Sequence, residues 1–226
     1  MDRTTTSIHI QPTIENDELV RLLGGHKKMS LPKSVRRKVQ NARKKLNKLI
    51  KPKLHYRILK PKVRDKDVVH LDETVEFTSP KLAKTLKNAE KIVCFVGTIG
   101  TDVENEINRL LGKQKLAEAY ILDAMASVAV ENMIDRFQDL MEDRFNAGDS
   151  TVTLRFSPGY CDWPLIQQKK LFNIFDPEEL KVELLDSCLM TPRKSVSGVF
   201  GITPQESESY NPCQDCPRRG CDMRRN

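Results

Sequence analysis

A short segment between a predicted strand and a predicted helix carries the residue types best suited to binding a small ligand. The segment 155–160 reads RFSPGY; it follows the β-branched run 151–154 and precedes a helical pattern that begins near Pro164. A strand that breaks at Ser-Pro-Gly leaves backbone amides unpaired at the turn, and such amides can receive a ligand. We therefore expect a binding site at this turn.

Three side chains of this segment indicate the kind of ligand. Arg155 offers a planar, two-pronged donor that suits a carboxylate. Gly159 allows the backbone to approach a ligand closely, and Tyr160 offers an aromatic face with a polar tip. The alternative interpretation is an ordinary strand-to-helix turn, in which Arg155 is solvated and Tyr160 is half-buried.

The end of the chain holds a second group of chemically active residues. Cys213, Cys216 and Cys221 place three thiols within nine positions, and thiolates are ligands of zinc and of iron–sulfur clusters. The spacing is not the CxxxCxxC of radical S-adenosylmethionine enzymes. The fourth metal ligand could be Cys94, Cys161 or Cys188, or it could be a water molecule or a group of a partner protein. The alternative is a disordered tail with reduced thiols.

Three further patterns occur in a fixed order along the chain. They are the helical pattern 128–145, the Arg-x-x-x-Gly-Tyr of 155–160 with its helix after a proline, and LMTP at 189–192 followed by SVSG at 195–198. Together they resemble the S-adenosylmethionine-binding activation domain of cobalamin-dependent methionine synthase. The resemblance covers about residues 90–204.

The resemblance implies a role for each residue of the site. Arg155 would bind the methionine carboxylate and Asp135 the ammonium group, although the family has a glutamate there, one methylene longer. Asp135 could instead be an exposed helix acid. Backbone groups of the turn would hold the rest of the ligand, with small residues beside the pocket. The full set of implied binding residues is Asp135, Arg155, Ser157, Gly159, Tyr160, Ser197 and Gly198.

The resemblance also implies a reaction, the reductive reactivation of a corrinoid. Cobalt(II) would accept one electron, from a flavodoxin or ferredoxin, and then a methyl group from S-adenosylmethionine. The cobalamin would belong to a partner, a separate corrinoid protein or a truncated methionine synthase, because the Asp-x-His-x-x-Gly signature of cobalamin modules is absent here. Two alternatives are a non-catalytic ligand-binding module with a structural metal in its tail, and, less favoured, an ordinary methyltransferase.

The charge distribution predicts a docking surface. Segment 27–66 holds 17 of the 38 Lys and Arg residues but only one of the 31 Asp and Glu residues. Much of this charge lies on a predicted helix, 32–50, whose apolar stripe would pack on the protein. The basic face could dock an acidic partner or simply be solvated. Nucleic acid is disfavoured because no aromatic residue interleaves with the charges.

The remaining patterns set the fold class. Predicted helices cover 13–23, 32–50, 79–86, 115–147 and 165–175, with another after Thr101, where Glu104 completes a capping box. Predicted strands cluster around 54–77, 91–99, 151–156 and 185–202. This mixture predicts an α+β fold, a twisted, mainly antiparallel sheet packed with long helices.

The sequence also predicts how the chain is divided into regions and in which cellular compartment the protein lies. We expect a helical region at 1–52, a core at 53–205 and a Cys-rich tail at 206–226. No apolar run could span a bilayer and no apolar signal region opens the chain, so we expect a cytoplasmic protein with reduced cysteines.

Overall fold

The protein contains six α-helices among the residues that the structure describes. The structure is a computed structural model that describes residues 5–25, 31–64, 66–71, 75–146, 149–206 and 210–215. The helices are α1 (Asn16–Leu22), α2 (Lys33–Leu49), α3 (Pro80–Thr85), α4 (Asp102–Gly112), α5 (Leu116–Asn146) and α6 (Gln168–Phe172), the last preceded by a 3₁₀ turn at Leu165–Gln167.

In the described part of the chain, three antiparallel sheets accompany these helices. The strands are β1 (Thr6–Ile8), β2 (Lys53–Leu59), β3 (Val63–Arg64), β4 (Val68–His70), β5 (Glu76–Thr78), β6 (Lys91–Thr98), β7 (Ser150–Val152), β8 (Glu183–Leu184), β9 (Met190–Thr191) and β10 (Ser195–Pro204). The main sheet has the order β1-β2-β6-β10-β7, the second has the order β3-β4-β5, and β8 pairs with β9. The predicted α+β class with a mainly antiparallel sheet is therefore confirmed.

Helix α5 covers one face of the main sheet. Phe137 is fully buried at its centre, with its ring 5.1 Å from that of Tyr56, 6.1 Å from that of Phe95 and 5.8 Å from that of Phe200. These partners come from β2, β6 and β10, so one helix side chain ties together the three long strands. Replacing Phe137 by alanine would cost about 3–5 kcal/mol. Helices α2 and α4 pack against α5.

The other face of the main sheet is covered by a second hydrophobic cluster. It contains residues of the small sheet β3-β4-β5, of α3 and of the segment that leads into α6. Trp163, the only tryptophan, is fully buried, and its ring lies 5.0 Å from that of Phe77. Trp163 thus anchors the end of the predicted binding turn in this layer.

Some elements differ from the sequence-based expectations. Thr6–Ile8 forms the edge strand β1, where the sequence analysis expected no element, because it pairs with His55 and its neighbours in β2. The predicted capping box is wrong: Thr101 makes no capping hydrogen bond, and Glu104 accepts hydrogen bonds from Arg193 instead. The division of the chain at residues 52 and 205 stays a prediction.

Among the described residues, no helix combines the length and the apolar content needed to cross a membrane.

Candidate functional site

The predicted binding turn begins where the chain leaves the main sheet. Phe156 and Val199 of β10 exchange two backbone hydrogen bonds of 2.8 Å each, after which the chain bends sharply. Within the bend, the Tyr160 amide donates to the Ser157 carbonyl at 3.2 Å, and the Gly159 amide donates to the Trp163 carbonyl at 2.8 Å. The expectation of unpaired amides is therefore wrong for these two groups, because the turn satisfies them itself.

Two buried polar contacts fix the far end of the bend. The Gln167 side chain accepts from the Thr78 amide at 2.8 Å and donates to the Thr78 carbonyl at 3.0 Å, while also accepting from the Trp163 indole. Asp162 accepts from the Ser79 hydroxyl at 2.5 Å and from the Lys81 amide, at the start of α3. These bonds hold the bend against β5 and α3, so its backbone is preorganised.

A cavity of about 400 Å³ lies beside the bend. Its wall consists of the bend, the turn and strand at 188–190, the start of β10, Glu131 of α5 and Cys213 of the tail. This volume lies in the usual range for small-molecule sites. Four of the predicted binding residues line it, namely Arg155, Ser157, Tyr160 and Ser197.

The other three predicted binding residues do not line the cavity. Gly159 has φ +90°, a conformation that favours glycine, so its role is to form the bend. Gly198 lies under the bend, where an added Cβ would be 2.5 Å from the Phe156 carbonyl oxygen. Asp135 contacts the Arg155 side chain outside the cavity wall. These residues shape or support the cavity, and direct ligand contact by them stays a prediction.

Arg155 is held by two carboxylates of α5. Its guanidinium donates Nη2 to Glu131 Oε2 at 2.8 Å and Nη1 to Asp135 Oδ1, and only 7% of its side chain is exposed. Residues 131 and 135 are one helical turn apart and therefore share a face. Glu131 was not predicted from the sequence, although its position one helical turn before Asp135 was a signal. Arg155 and Asp135, expected to bind opposite ends of a ligand, bind each other here.

The opposite rim of the cavity is fixed by ion pairs to α4 and α5. Arg193 donates to Glu104 from its side chain at 2.7 Å and from its backbone amide at 3.1 Å. Lys194 lies 2.8 Å from Asp123 and 2.8 Å from the Ser127 hydroxyl, with 14% of its side chain exposed. These contacts hold the loop that follows the cis Thr191–Pro192 peptide bond, and this loop leads directly into Ser195 and Ser197.

Cysteines occur on three parts of the cavity wall. Cys161, Cys188 and Cys213 all line the cavity, whereas Cys94 is buried in β6. Of the predicted metal ligands only Cys213 lies in the described part of the chain; Cys216 and Cys221 lie outside it. Within residues 5–215, apart from the gaps in the description, no group of three or more His, Cys, Asp or Glu side chains could hold a metal ion. The tail metal site stays a prediction.

Comparisons with known proteins give one family by sequence and a similar fold among solved structures. The family model of the vitamin B12 dependent methionine synthase activation domain matches residues 76–216, which include every cavity residue named above. Among solved structures, the chain is similar to a crystal structure of the MetH reactivation domain bound to AdoHcy, with a TM-score of 0.67 and 16% sequence identity. The alignment covers 92% of this chain and 80% of that one, and at this identity it shows the fold. No curated protein sequence matches the chain.

Proposed function

Because the chain belongs to the family of vitamin B12-dependent methionine synthase activation domains, we propose that its cavity binds S-adenosylmethionine for methyl transfer to a partner's corrinoid cobalt. The observation that carries this proposal is the buried Arg155 guanidinium beside the Glu131 carboxylate on one cavity wall. An α-amino acid headgroup carries one negative and one positive group close together. A guanidinium and a carboxylate at hydrogen-bonding distance are complementary to that pair.

Binding of the ligand would change the ion-pair partners of Arg155 and of the acids on α5. The ligand carboxylate would accept hydrogen bonds from the Arg155 guanidinium, and the ligand ammonium would pair with the carboxylate of Glu131 or Asp135. Arg155 would thus gain the ligand carboxylate as a partner, and an acid that it releases would pair with the ligand ammonium, so neither the buried cation nor the acids lose all of their partners. This exchange matters because an uncompensated buried charge is strongly destabilising.

The rest of the cavity suits the remainder of the ligand. Leu165, Met190 and Val196 give apolar contact for a nucleoside, and the Tyr160 ring lies at the mouth with 51% of the residue exposed. An aromatic face attracts a cation, and a sulfonium is a cation. Ser157 and Ser197 add hydroxyl groups that could bind the ligand's polar atoms.

The proposed reaction requires a partner and a reductant. An external donor, such as a flavodoxin or ferredoxin, reduces cobalt(II) to cobalt(I) by one electron. Cobalt(I) then attacks the methyl carbon of the sulfonium with its electron pair, the carbon–sulfur bond breaks, and methylcobalt(III) and S-adenosylhomocysteine form. The protein's contribution is to bind and orient the sulfonium, so that a bimolecular attack takes place in a fixed geometry.

Calorimetric titration tests the binding step. We expect wild-type protein to bind S-adenosylmethionine, Arg155→Ala to bind at least about 10-fold more weakly, and Arg155→Lys to fall between them because lysine keeps the charge but loses the fork. Arg109→Ala is the matched control, because Arg109 is also paired with a carboxylate, that of Glu106 on α4, but does not line the cavity. Absence of binding by folded wild-type protein would overturn the proposal.

A turnover assay separates this function from a non-catalytic module. The protein, a corrinoid and a low-potential reductant are mixed with S-adenosylmethionine, and S-adenosylhomocysteine is measured. Methyl transfer that requires both the corrinoid and the reductant supports reactivation. Binding of S-adenosylmethionine without any turnover, tested across corrinoid proteins and a truncated methionine synthase, supports the alternative of a ligand-binding module.

The basic face of α2 is the surface we propose for docking the acidic partner. Lys38 and Lys45 pair with Glu118 and Glu106 within the protein. In contrast, the exposed cations of this face point away from the core. They are Lys33, Arg36, Arg37, Lys44 and Lys48. Charge complementarity of this kind raises the rate of association with an acidic protein such as a flavodoxin, ferredoxin or corrinoid protein.

A further inference from the structure

Residues 210–215, the part of the tail that the structure describes, form a turn beside the cavity. Asn211 closes this turn with two hydrogen bonds: its side-chain Oδ1 accepts from the Cys213 amide at 2.9 Å, and its carbonyl accepts from the Gln214 amide at 3.1 Å. Pro212 is buried, and both Pro212 and Cys213 line the cavity. Part of the cavity wall therefore comes from a segment that follows the last strand of the main sheet.

Lys84 of α3 contacts both ends of this segment. Its ammonium group lies 3.9 Å from the centroid of the Tyr210 ring and 3.8 Å from the Asp215 carboxylate. The face of an aromatic ring attracts a cation, and the carboxylate adds a charge of opposite sign. A single side chain outside the segment thus contacts its first and its last residue.

The phenol of Tyr210 joins the same group of side chains. Burial, followed by a hydrogen bond to Asp215 and the negative charges of Asp215 and Asp162, raises the pKa of Tyr210 to about 12. At neutral pH the phenol therefore keeps its proton and donates a hydrogen bond to the Asp215 carboxylate. Each of Lys84, Tyr210 and Asp215 contacts the other two.

Helix α3 also holds the bend on the cavity wall. The Asp162 carboxylate of the bend accepts from the Ser79 hydroxyl at 2.5 Å and from the Lys81 amide at 3.1 Å, at the start of α3. The same short helix therefore contacts two parts of the wall, the bend through its first turn and the tail segment through Lys84.

We propose that Lys84 is a positioning residue of the ligand site, which holds residues 210–215 in place as a wall of the cavity. The inference rests on the proposed function, because it concerns the site in which S-adenosylmethionine would bind. Lys84 itself does not line the cavity, so it acts on the ligand only through the segment. The side chains of Lys84 and Asp215 are 59% and 60% exposed. Because exposed ion pairs and exposed cation–π contacts are each weak, we expect a moderate loss of affinity without Lys84.

Site-resolved alkylation of Cys213 tests the positioning of the segment in the full chain without ligand. Folded protein is treated with N-ethylmaleimide, and the rate at each cysteine is measured by mass spectrometry. We expect Lys84→Gln to raise the Cys213 rate at least about threefold. Lys84→Arg should restore it to within about twofold of wild type, because arginine also binds an aromatic face and a carboxylate. Cys94 is fully buried in β6, so a slow rate at Cys94 shows that each variant is folded.

Lys91→Gln is the matched control. Lys91 Nζ lies 4.7 Å from the centroid of the Phe145 ring, so this change also removes a lysine from an aromatic face. Neither Lys91 nor Phe145 lines the cavity. We therefore expect Lys91→Gln to leave the alkylation rate of Cys213 at the wild-type value.

Calorimetry tests the consequence for ligand binding. Lys84→Gln should bind S-adenosylmethionine about threefold to 10-fold more weakly than wild type, whereas Lys84→Arg and Lys91→Gln should bind within about twofold of it. Saturating S-adenosylmethionine should also slow the alkylation of Cys213 in wild-type protein, because the ligand then covers the wall to which Cys213 belongs.

The two measurements separate this inference from the proposed function. The inference is overturned if Cys213 of wild type reacts as fast as in urea-unfolded protein, or if Lys84→Gln and Lys91→Gln give the same Cys213 rate. It is also overturned if wild type binds S-adenosylmethionine and Lys84→Gln binds it equally well. Absence of binding by wild type overturns the proposed function and the ligand role of the wall, and alkylation alone then decides whether Lys84 positions the segment.

Discussion

The guanidinium of Arg155 lies 2.8 Å from the carboxylate of Glu131 on the cavity wall. This pair joins the two elements that form the site, the bend after β7 and the buried helix α5. Asp135, one turn further along α5, contacts the same guanidinium but does not line the cavity. The geometry therefore ranks the two acids as ligand contacts, with Glu131 first.

The first prediction concerns these two acids. We expect Glu131→Gln to weaken S-adenosylmethionine binding by about 10-fold, because the ligand ammonium loses a charged acceptor. Asp135→Asn should weaken it by less than about threefold, because 56% of the Asp135 side chain is exposed and water screens its charge. Calorimetry measures both constants. A larger loss in Asp135→Asn than in Glu131→Gln would show that Asp135 is the principal acid, as the sequence resemblance implied.

The second prediction concerns the packing of the bend on β10. A Cβ at Gly198 would lie 2.5 Å from the Phe156 carbonyl oxygen and 2.9 Å from the Phe95 ring. We expect Gly198→Ala to lower the free energy of unfolding by about 1–3 kcal/mol, since a backbone atom cannot move aside cheaply. Gly112→Ala is the control: no atom lies within 4 Å of its added Cβ, so it should be neutral or stabilising by up to about 1 kcal/mol. Thermal unfolding compares the two, and equal melting temperatures would contradict the packing argument.

The sequence predicted those elements whose signals are local. Helix α5 and strand β6 were predicted almost to their ends, because a long apolar helix and a continuous apolar strand each have a clear pattern. The position of the bend followed from Ser-Pro-Gly after a β-branched run. Strand β1 was not predicted, because Thr6–Ile8 gains its order from pairing with β2, across more than 40 residues.

The binding site itself stays a prediction, but the structure shows how its predicted residues are arranged. The resemblance singled out Arg155 and Asp135, and these two residues lie on elements that meet beside the cavity. It could not show that the two side chains pair with each other, nor that Glu131 would occupy the cavity wall. Such contacts depend on the orientation in which α5 packs on the sheet, and a local sequence pattern does not determine that orientation. The need for a glycine at position 198 could not be predicted for the same reason. It arises because the bend lies over Gly198 and leaves no room for a side chain.

His55 provides the third prediction. It is buried in β2 with 3% exposure, its Nδ1 lies 2.8 Å from the Ser7 hydroxyl, and its Nε2 has no hydrogen-bond partner within the described structure. Burial lowers the pKa of His55, and the positive charges of Lys53 and Lys181 lower it further, against the opposing charge of Glu179. The folded protein thus keeps this imidazole neutral.

The sign of the pH effect follows from this lowered pKa. As the pH falls below about 6.5, the unfolded chain binds a proton on His55 before the folded chain does, so stability decreases. The contribution is fully present above the unfolded pKa and declines by at most about 1.4 kcal/mol per pH unit until the folded pKa is reached. Urea unfolding of wild type and His55→Gln between about pH 5 and 8 measures it. We expect the variant to show a shallower decline, and parallel curves would refute the role of His55.

The fourth prediction concerns the basic face of α2 and is tested kinetically. Arg37→Gln/Lys44→Gln removes two exposed charges from this face, so we expect methyl transfer to a corrinoid partner to slow several-fold at low salt, with the difference vanishing at high salt. S-adenosylmethionine affinity should not change, because no residue of α2 lines the cavity. Lys87→Gln/Lys181→Gln is the control, with the same net charge change at exposed positions outside α2. If both double variants slow transfer equally, the effect reflects net charge alone, and α2 is not the docking surface.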